Sequence, residues 1–362
     1  MIPCLLALLL LLTSCGANKA VDAVDNLPEE PKPSEEPVAE VESVEKEVPA
    51  KPENELDGIE SGKTVEEMIA EKNAVTPELT VEGSNYGRKK SVSSYLIMGI
   101  DEGGVVPATD EIVNGGQCDV ILLVVVDEAA GKYTKVQLDR DMMVDMDICD
   151  YYGDPISTTN QQLAFAHSYG NGTAASCENV VRCVSHLFGD VEINGYLSVR
   201  YDGIPAANDT LGGVCVKIED DFSKVDETLV MGETVELTGD HTLNYIRARM
   251  SVGDGTNAER MRRHRTYVSA FASRFRESLH SNSGIVNDLY NAVSPYMVTN
   301  MSSGKLTDLA LMCDGFTDCG IVTLNGIATT KTYKNGNDYA EFYADESALQ
   351  NLIRDLYYVP VN

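Results

Sequence analysis

The sequence predicts an α/β fold: a layered domain with a central mixed β-sheet flanked by helices, preceded by a disordered tether. Three observations carry this. The run at 120–126 is apolar throughout, as expected of a strand buried on both faces. Segment 132–138 alternates like its antiparallel neighbour, with Ala130 and Gly131 supplying the turn between them. Downstream, helical periodicities at 175–187 and 257–279 are interleaved with short apolar runs at 196–199 and 214–218, the pattern of a layered α/β domain.

Taken from the N-terminus, residues 1–15 resemble a bacterial lipoprotein signal. Residues 5–12 are almost pure leucine, and Thr13 and Ser14 lead into Cys15, a Leu-Thr-Ser-Cys lipobox. Small side chains enter a peptidase site, and the Cys15 thiol becomes the point of lipidation. The n-region offers no Lys or Arg, so an ordinary cleaved signal is the alternative; either way the mature chain is expected to be exported. The expected location is the outer face of the cytoplasmic membrane, anchored by lipid at Cys15.

Residues 16–60 hold six prolines, 14 acidic residues, four lysines and no aromatic residue. Such a segment buries too little apolar surface to offset its chain entropy and reads as a solvated tether. Residues 61–92 read as a linker with a short helix at 64–72, ending in the basic patch Arg88, Lys89 and Lys90. The globular domain is expected over 93–358. Within it, 95–100 is a strand ending at Asp101. Helical stretches follow at 161–169 and 175–187, then strands at 196–199 and 214–218 around a helix that ends in Leu211, Gly212 and Gly213. Helices at 239–250 and 257–279 come next, and a smaller strand-helix tail runs to Tyr358.

Charge narrows the function. The chain has 28 Lys and Arg against 57 Asp and Glu, a net charge of −29. That balance argues against a general nucleic-acid binder, since phosphate would be repelled unless basic residues are concentrated somewhere. Against this background Arg247, Arg249, Arg260, Arg262, Arg263 and Arg265 are concentrated in one stretch. Arginine's planar fork matches phosphate oxygens, so the cluster suits a phosphate or pyrophosphate ligand. Arg260, Arg263 and His264 share a helical face through i, i+3, i+4 spacing. An amphipathic helix paired with surface carboxylates is the plainer alternative. Arg247 and Arg249 are two apart and cannot share a helix face. To serve one ligand they must lie where the chain leaves the helix. Asp101 ends one strand, Asp119 precedes the next, and Arg140-Asp141 closes the third. Strand ends are where α/β folds build sites. Two carboxylates without basic sequence neighbours suit Mg²⁺, or Mn²⁺, shared with substrate phosphates, although either alone is more often a turn cap.

Six segments in order resemble the LytR-CpsA-Psr family of cell-envelope enzymes. They are Tyr-Leu-Ile-Met-Gly-Ile-Asp (95–101), Cys-Asp-Val-Ile-Leu-Leu-Val (118–124), Val-Gln-Leu-Asp-Arg-Asp-Met-Met-Val (136–144), Leu-Gly-Gly-Val (211–214), Leu-Thr-Gly-Asp-His-Thr-Leu-Asn-Tyr-Ile-Arg-Ala-Arg (237–249) and Asn-Ala-Glu-Arg-Met-Arg-Arg-His-Arg (257–265). The resemblance implies a phosphotransferase that moves a glycopolymer, of teichoic acid or capsular polysaccharide type, from polyprenyl pyrophosphate onto peptidoglycan, with pyrophosphatase as a side activity. It implies metal binding by Asp101 and Asp119, pyrophosphate binding by Arg140, Arg247, Arg249 and Arg260, and an apolar groove for the lipid between sheet and helices. Arg263 and His264 join the pyrophosphate set by their shared face; Arg140, Asp141 and Asp254 form the expected catalytic set, and the base is open among Asp254, Asp141 and Asp101. Gln117, Asn257 and His264 depart from the family pattern, which often has arginine, aspartate and glutamine there. A non-catalytic lipoprotein that binds polyprenyl-pyrophosphate lipids or wall polyanions is the rival reading. Past Cys15 the seven cysteines have no zinc-site spacing; Cys313 and Cys319 are close enough in sequence for a local disulfide, and a reduced state is equally open.

Overall fold

Alternate residues of one strand divide the molecule into layers. In the computed structural model, which describes residues 77–81, 84–107, 115–248, 251–253, 257–333 and 336–361, strand β4 (Cys118–Asp127) is buried along its whole length. Its Val120, Leu122, Val124 and Val126 face one apolar cluster, and Ile121, Leu123 and Val125 face another. The period-2 side-chain alternation of a strand makes one segment serve two cores.

Around β4 the central sheet has six strands in the order β11–β8–β3–β4–β5–β12. These are β3 (Val92–Ile100), β5 (Lys132–Leu138), β8 (Gly195–Arg200), β11 (Met297–Thr299) and β12 (Thr317–Thr323). β4 is antiparallel to both β3 and β5, while β8 runs parallel to β3 and β12 parallel to β5, so the sheet is mixed as expected. The Ala130-Gly131 turn joins β4 to β5, with Gly131 at φ 59°, where a side chain would be strained.

Two helical layers cover the sheet. One face packs against α2 (Gly203–Thr210), α3 (Asp240–Arg247), α4 (Asn257–Ser281), α5 (Ile285–Val293) and α6 (Ser303–Gly315). The other packs against α1 (Ala174–Leu187) and α7 (Glu346–Tyr357), with β6 (Met143–Cys149) lying against the same cluster. Small antiparallel pairs complete the unit. β6 pairs with β7 (Pro155–Gln162), β9 (Val214–Lys217) with β10 (Thr234–Leu237), and β13 (Gly326–Thr332) with β14 (Asp338–Ala344).

Two sequence expectations change. Segment 161–169 is not an α-helix: β7 runs through Gln162, and a six-residue 3-10 turn, Leu163–Ser168, follows. The stretch read as linker contains β1 (Pro77–Val81) and β2 (Ser84–Arg88), and β2 pairs with the C-terminal β15 (Tyr358–Val361). The folded unit therefore begins upstream of residue 93. The signal at 1–15 with Cys15, the tether at 16–60 and the helix expected at 64–72 lie outside the described residues. No helix among the described residues is long and apolar enough to cross a membrane. The seven described cysteines are all free, Cys313 and Cys319 included.

Candidate functional site at one end of the sheet

The site is assembled where β3, β5 and β8 end and β4 begins. Ile100 pairs with Cys118 on one side and with Arg200 on the other, so residues 101, 117–119 and 200–202 come together at one edge. The Asp101 backbone N–H donates to the Gln117 carbonyl at 2.9 Å, which ties the two carboxylate-bearing segments to each other. Asp101 is exposed, whereas Asp119 is 5% exposed on the second residue of β4. Cys118 beside it is fully buried, and burial pushes its thiol well up, as expected of a small packing residue rather than a nucleophile.

Arg140, just past β5, reaches across to this edge. Its guanidinium forms an ion pair with Asp119 and donates to Gln117 Oε1 at 2.6 Å, while its Nε lies 3.4 Å from the Asp141 carboxylate. Gln117 thus gives Arg140 a neutral acceptor. Burial raises the Asp141 carboxyl pKa, Arg140 pulls it back, and Asp139 adds to the rise.

The 3-10 turn braces both halves of this contact. Ala164 N–H donates to the Arg140 carbonyl at 3.0 Å, and Ser168 Oγ donates to the Gly116 carbonyl at 2.9 Å. The buried His167 bonds the Gly115 carbonyl through Nδ1 at 2.5 Å. A carbonyl can only accept, so Nδ1 carries the proton, and burial lowers this imidazole to about 4.

From the opposite side comes Arg247, the last residue of α3. Ala248 has φ −58° and ψ 132°, so the chain turns extended at the point where the Arg-Ala-Arg spacing required it to leave the helix. Arg247 is exposed, lies 3.8 Å from Asp101 and stacks 3.8 Å over the Tyr201 ring. Arg249 and Asp254 lie outside the described residues.

The second half of the arginine cluster is placed differently. Arg263 is 1% exposed: one terminal nitrogen donates to Asp220 at 2.8 Å and the other to the Ala248 carbonyl. His264, also buried, bonds the Ile246 carbonyl through Nε2 at 2.7 Å. These two residues satisfy carbonyls where α3 ends. Their shared helix face is real, but it points into the protein, which corrects their assignment as ligand-contacting groups. Arg260 is on the same buried face. Arg262 pairs with Glu219 and Asp220.

Sequence reasoning missed Arg200 and Tyr201. Arg200 Nη1 donates to the carbonyls of Gly103 at 3.0 Å and Val105 at 3.2 Å, and Asp202 accepts from Gly104 N–H at 2.8 Å. Together they hold the loop after Asp101. Both residues sit at the end of a buried strand, the one signal that pointed to them.

Asp101 and Asp119 offer oxygen ligands from tied backbone segments, which suits Mg²⁺. Among the described residues no three His, Cys, Asp or Glu side chains converge into a closed metal cage. Asp101 and Asp119 each face an arginine as well, Arg247 and Arg140 respectively. A separate cavity of 250 Å³, lined by Lys89, Asp127, Lys132 and Cys319 among others, is at the far end of β4, about 26 Å away by strand rise.

The chain is similar to several known proteins. A teichoic acid transferase of Bacillus anthracis, TagU, named as acting from polyisoprenyl-teichoic acid to peptidoglycan, is 24% identical over 284 residues, covering 75% of this chain and 82% of that protein. TagV of Bacillus subtilis, with the same naming, is 26% identical over 278 residues, 74% of this chain and 64% of that one. The crystal structure of B. subtilis TagV superposes with a TM-score of 0.52 at 21% identity, covering 74% of this chain and 96% of that chain, a likeness of fold. The sequence model of the LytR_cpsA_psr family matches residues 55–356, and the chain belongs to that family.

Proposed function

We propose that the chain is an extracytoplasmic phosphotransferase that moves a glycopolymer from polyprenyl pyrophosphate onto peptidoglycan. The observation that carries this is the meeting, at one sheet edge, of two carboxylates with two guanidinium groups from separate elements: Asp101 with Arg247, and Asp119 with Arg140. Membership of the family and the naming of TagU and TagV support the same direction.

Phosphoryl transfer proceeds through a loose transition state whose charge lies on the phosphate oxygens, so the protein's work is positioning and electrostatic stabilisation. Arg247 and Arg140 grip pyrophosphate oxygens with charge-assisted bonds, and Arg249 extends the set, while the buried Arg260 stands behind it on the inward face of α4. Mg²⁺ or Mn²⁺, held by Asp101 and Asp119, would supply further neutralisation of the pyrophosphate when bound. A peptidoglycan sugar hydroxyl attacks the phosphorus nearer the glycan. The bond from that phosphorus to the bridging oxygen breaks, and polyprenyl monophosphate leaves with the electron pair. Asp141, its carboxyl pKa raised, takes the hydroxyl proton; Asp254 is the second candidate for that role. Water in place of the sugar would give pyrophosphate hydrolysis as a side reaction. Arg263 and His264 act by holding the end of α3. Lipidation at Cys15 places the chain on the membrane that carries the donor.

The test is transfer of a labelled glycan from polyprenyl pyrophosphate to peptidoglycan oligomers by the purified chain with Mg²⁺. Label covalently attached to peptidoglycan, and lost in Asp119→Ala, is the expected result. Donor binding without any transfer or hydrolysis would replace the enzyme with a lipid-binding lipoprotein.

A further inference from the structure

The β13–β14 hairpin carries an unusual outer face. β13 is exposed along all seven residues, with Ile327 72% exposed. By register, Ile327, Thr329 and Lys331 lie opposite Tyr343, Glu341 and Tyr339, so these six share one face. At its centre Glu341 is only 3% exposed, because tyrosines cover it: Tyr333 Oη donates to one carboxylate oxygen at 2.7 Å and Tyr343 Oη to the other at 2.8 Å. The carboxylate pushes the Tyr333 hydroxyl up to about 12, so it stays a donor. Tyr339 meets Tyr333 edge-on at 5.3 Å between ring centroids. A buried charge thus pins two rings that are themselves 45% (Tyr343) and 40% (Tyr333) exposed.

The back of the hairpin is tied to the candidate site. Phe342 N–H donates to the Asp141 carbonyl at 2.8 Å, and Gln162 Nε2 donates to the Ala340 carbonyl at 2.6 Å. Phe342 also packs against the core. The hairpin that carries the outer face is therefore anchored on the segment that carries Arg140 and Asp141.

We propose that this tyrosine face binds the acceptor, a neutral stretch of the peptidoglycan glycan strand, and presents it to the Asp141 side of the site. The identity of the ligand as acceptor rests on the phosphotransfer reading; the binding face does not. Pinned aromatic rings offer apolar area without an ordering cost, and they suit the C–H faces of sugars. Glu341 is offset by Lys331, 3.5 Å away, so the face is nearly neutral on a chain of net charge −29. That balance repels an anionic glycopolymer less than the rest of the surface does, yet it offers no cation cluster to attract one, and so favours an uncharged glycan. Seven strand residues span about 23 Å, room for a short oligosaccharide.

The experiment is co-sedimentation of the full chain with purified sacculi stripped of attached anionic polymers, paired with acceptor KM in the transfer assay. Tyr333→Ala with Tyr343→Ala should weaken sedimentation about tenfold and raise acceptor KM by a similar factor, with kcat and donor KM held. Tyr333→Phe with Tyr343→Phe keeps the rings and loses only the pins, so a smaller loss, about threefold, is expected even if the alanine pair folds poorly. Sedimentation through these tyrosines without any transfer would retire the phosphotransfer reading and leave the binding face in place. Unchanged sedimentation in both pairs overturns the proposal. So does a wild-type dimer dispersed by Tyr343→Ala, which would assign the face to a second copy of the chain.

Discussion

The two halves of the arginine cluster use the same side chain in opposite ways. Arg247, where α3 ends, is exposed, stacked on Tyr201 and turned toward Asp101. Arg263, sixteen positions on, is buried, and it spends its forks on Asp220 and on a backbone carbonyl of the segment that follows Arg247. One group is available to a ligand and the other builds the platform on which the first stands. Clustering of charge in a sequence therefore marks where a site is, without telling which members touch the substrate. The guanidinium suits both tasks because it stays charged and its planar fork satisfies carboxylate, carbonyl or phosphate oxygens alike.

Substitutions in each half of the cluster test that division. The largest effect is expected from Asp220→Ala, which strands the buried Arg263. Removing one partner of a buried pair costs about 3–5 kcal/mol, read as a melting temperature lower by roughly 10 °C or more. A melting temperature within a degree of wild type would mean that Arg263 does not depend on Asp220.

Next comes His167, which holds the Gly115 carbonyl much as His264 holds that of Ile246. Its folded pKa of about 4 lies below the ordinary 6.5, so the unfolded chain takes up the proton first as pH falls. Stability should therefore decline between pH 6.5 and 4 by an amount on the order of 3 kcal/mol from this group alone. Thermal melts of His167→Gln across that window should show a shallower decline; parallel curves would remove His167 as the cause.

A smaller effect, and one on activity instead of stability, is expected at Arg247. Arg247→Lys keeps the charge and loses the fork, so transfer should fall on the order of tenfold, from the loss of about 1.5–3 kcal/mol. The smallest change is expected from Arg262→Ala. Its side chain is partly exposed, and Asp220 keeps Arg263, so about 0–1 kcal/mol is expected in a chemical denaturation curve.

Much of the fold was legible because burial writes itself into periodicity. The β3, β4 and β5 strands, their turn and the amphipathic helices α1 and α4 are close to where their apolar patterns put them. The β13–β14 hairpin was not legible, since Gly-Ile-Ala-Thr-Thr-Lys-Thr is exposed on every residue and has no buried face to alternate. Segment 161–169 misled because Leu163, Ala164 and Ala166 are core residues at near-helical spacing, yet they belong to a 3-10 turn whose partners, Arg140 and Gly116, are distant in sequence. The pairing of β2 with β15 joins the two ends of the domain, which no local pattern encodes.

At the site, strand-end logic placed Asp101, Asp119 and Arg140 at one edge, and the spacing of Arg247 and Arg249 anticipated the end of α3. Helical spacing put Arg260, Arg263 and His264 on one face but could not say that the face turns inward. That is decided by Asp220 and by the carbonyls of Ile246 and Ala248, groups brought there only by folding.

The central claim is that Arg247 works on the ligand while Arg263 works on the fold, and one paired measurement on Arg247→Lys tests it most directly. Transfer from polyprenyl pyrophosphate and the melting temperature would be recorded on the same preparation. Transfer reduced on the order of tenfold or more, with a melting temperature within about two degrees of wild type, is the expected result. Undiminished transfer, or a collapse in melting temperature with donor affinity intact, would contradict it.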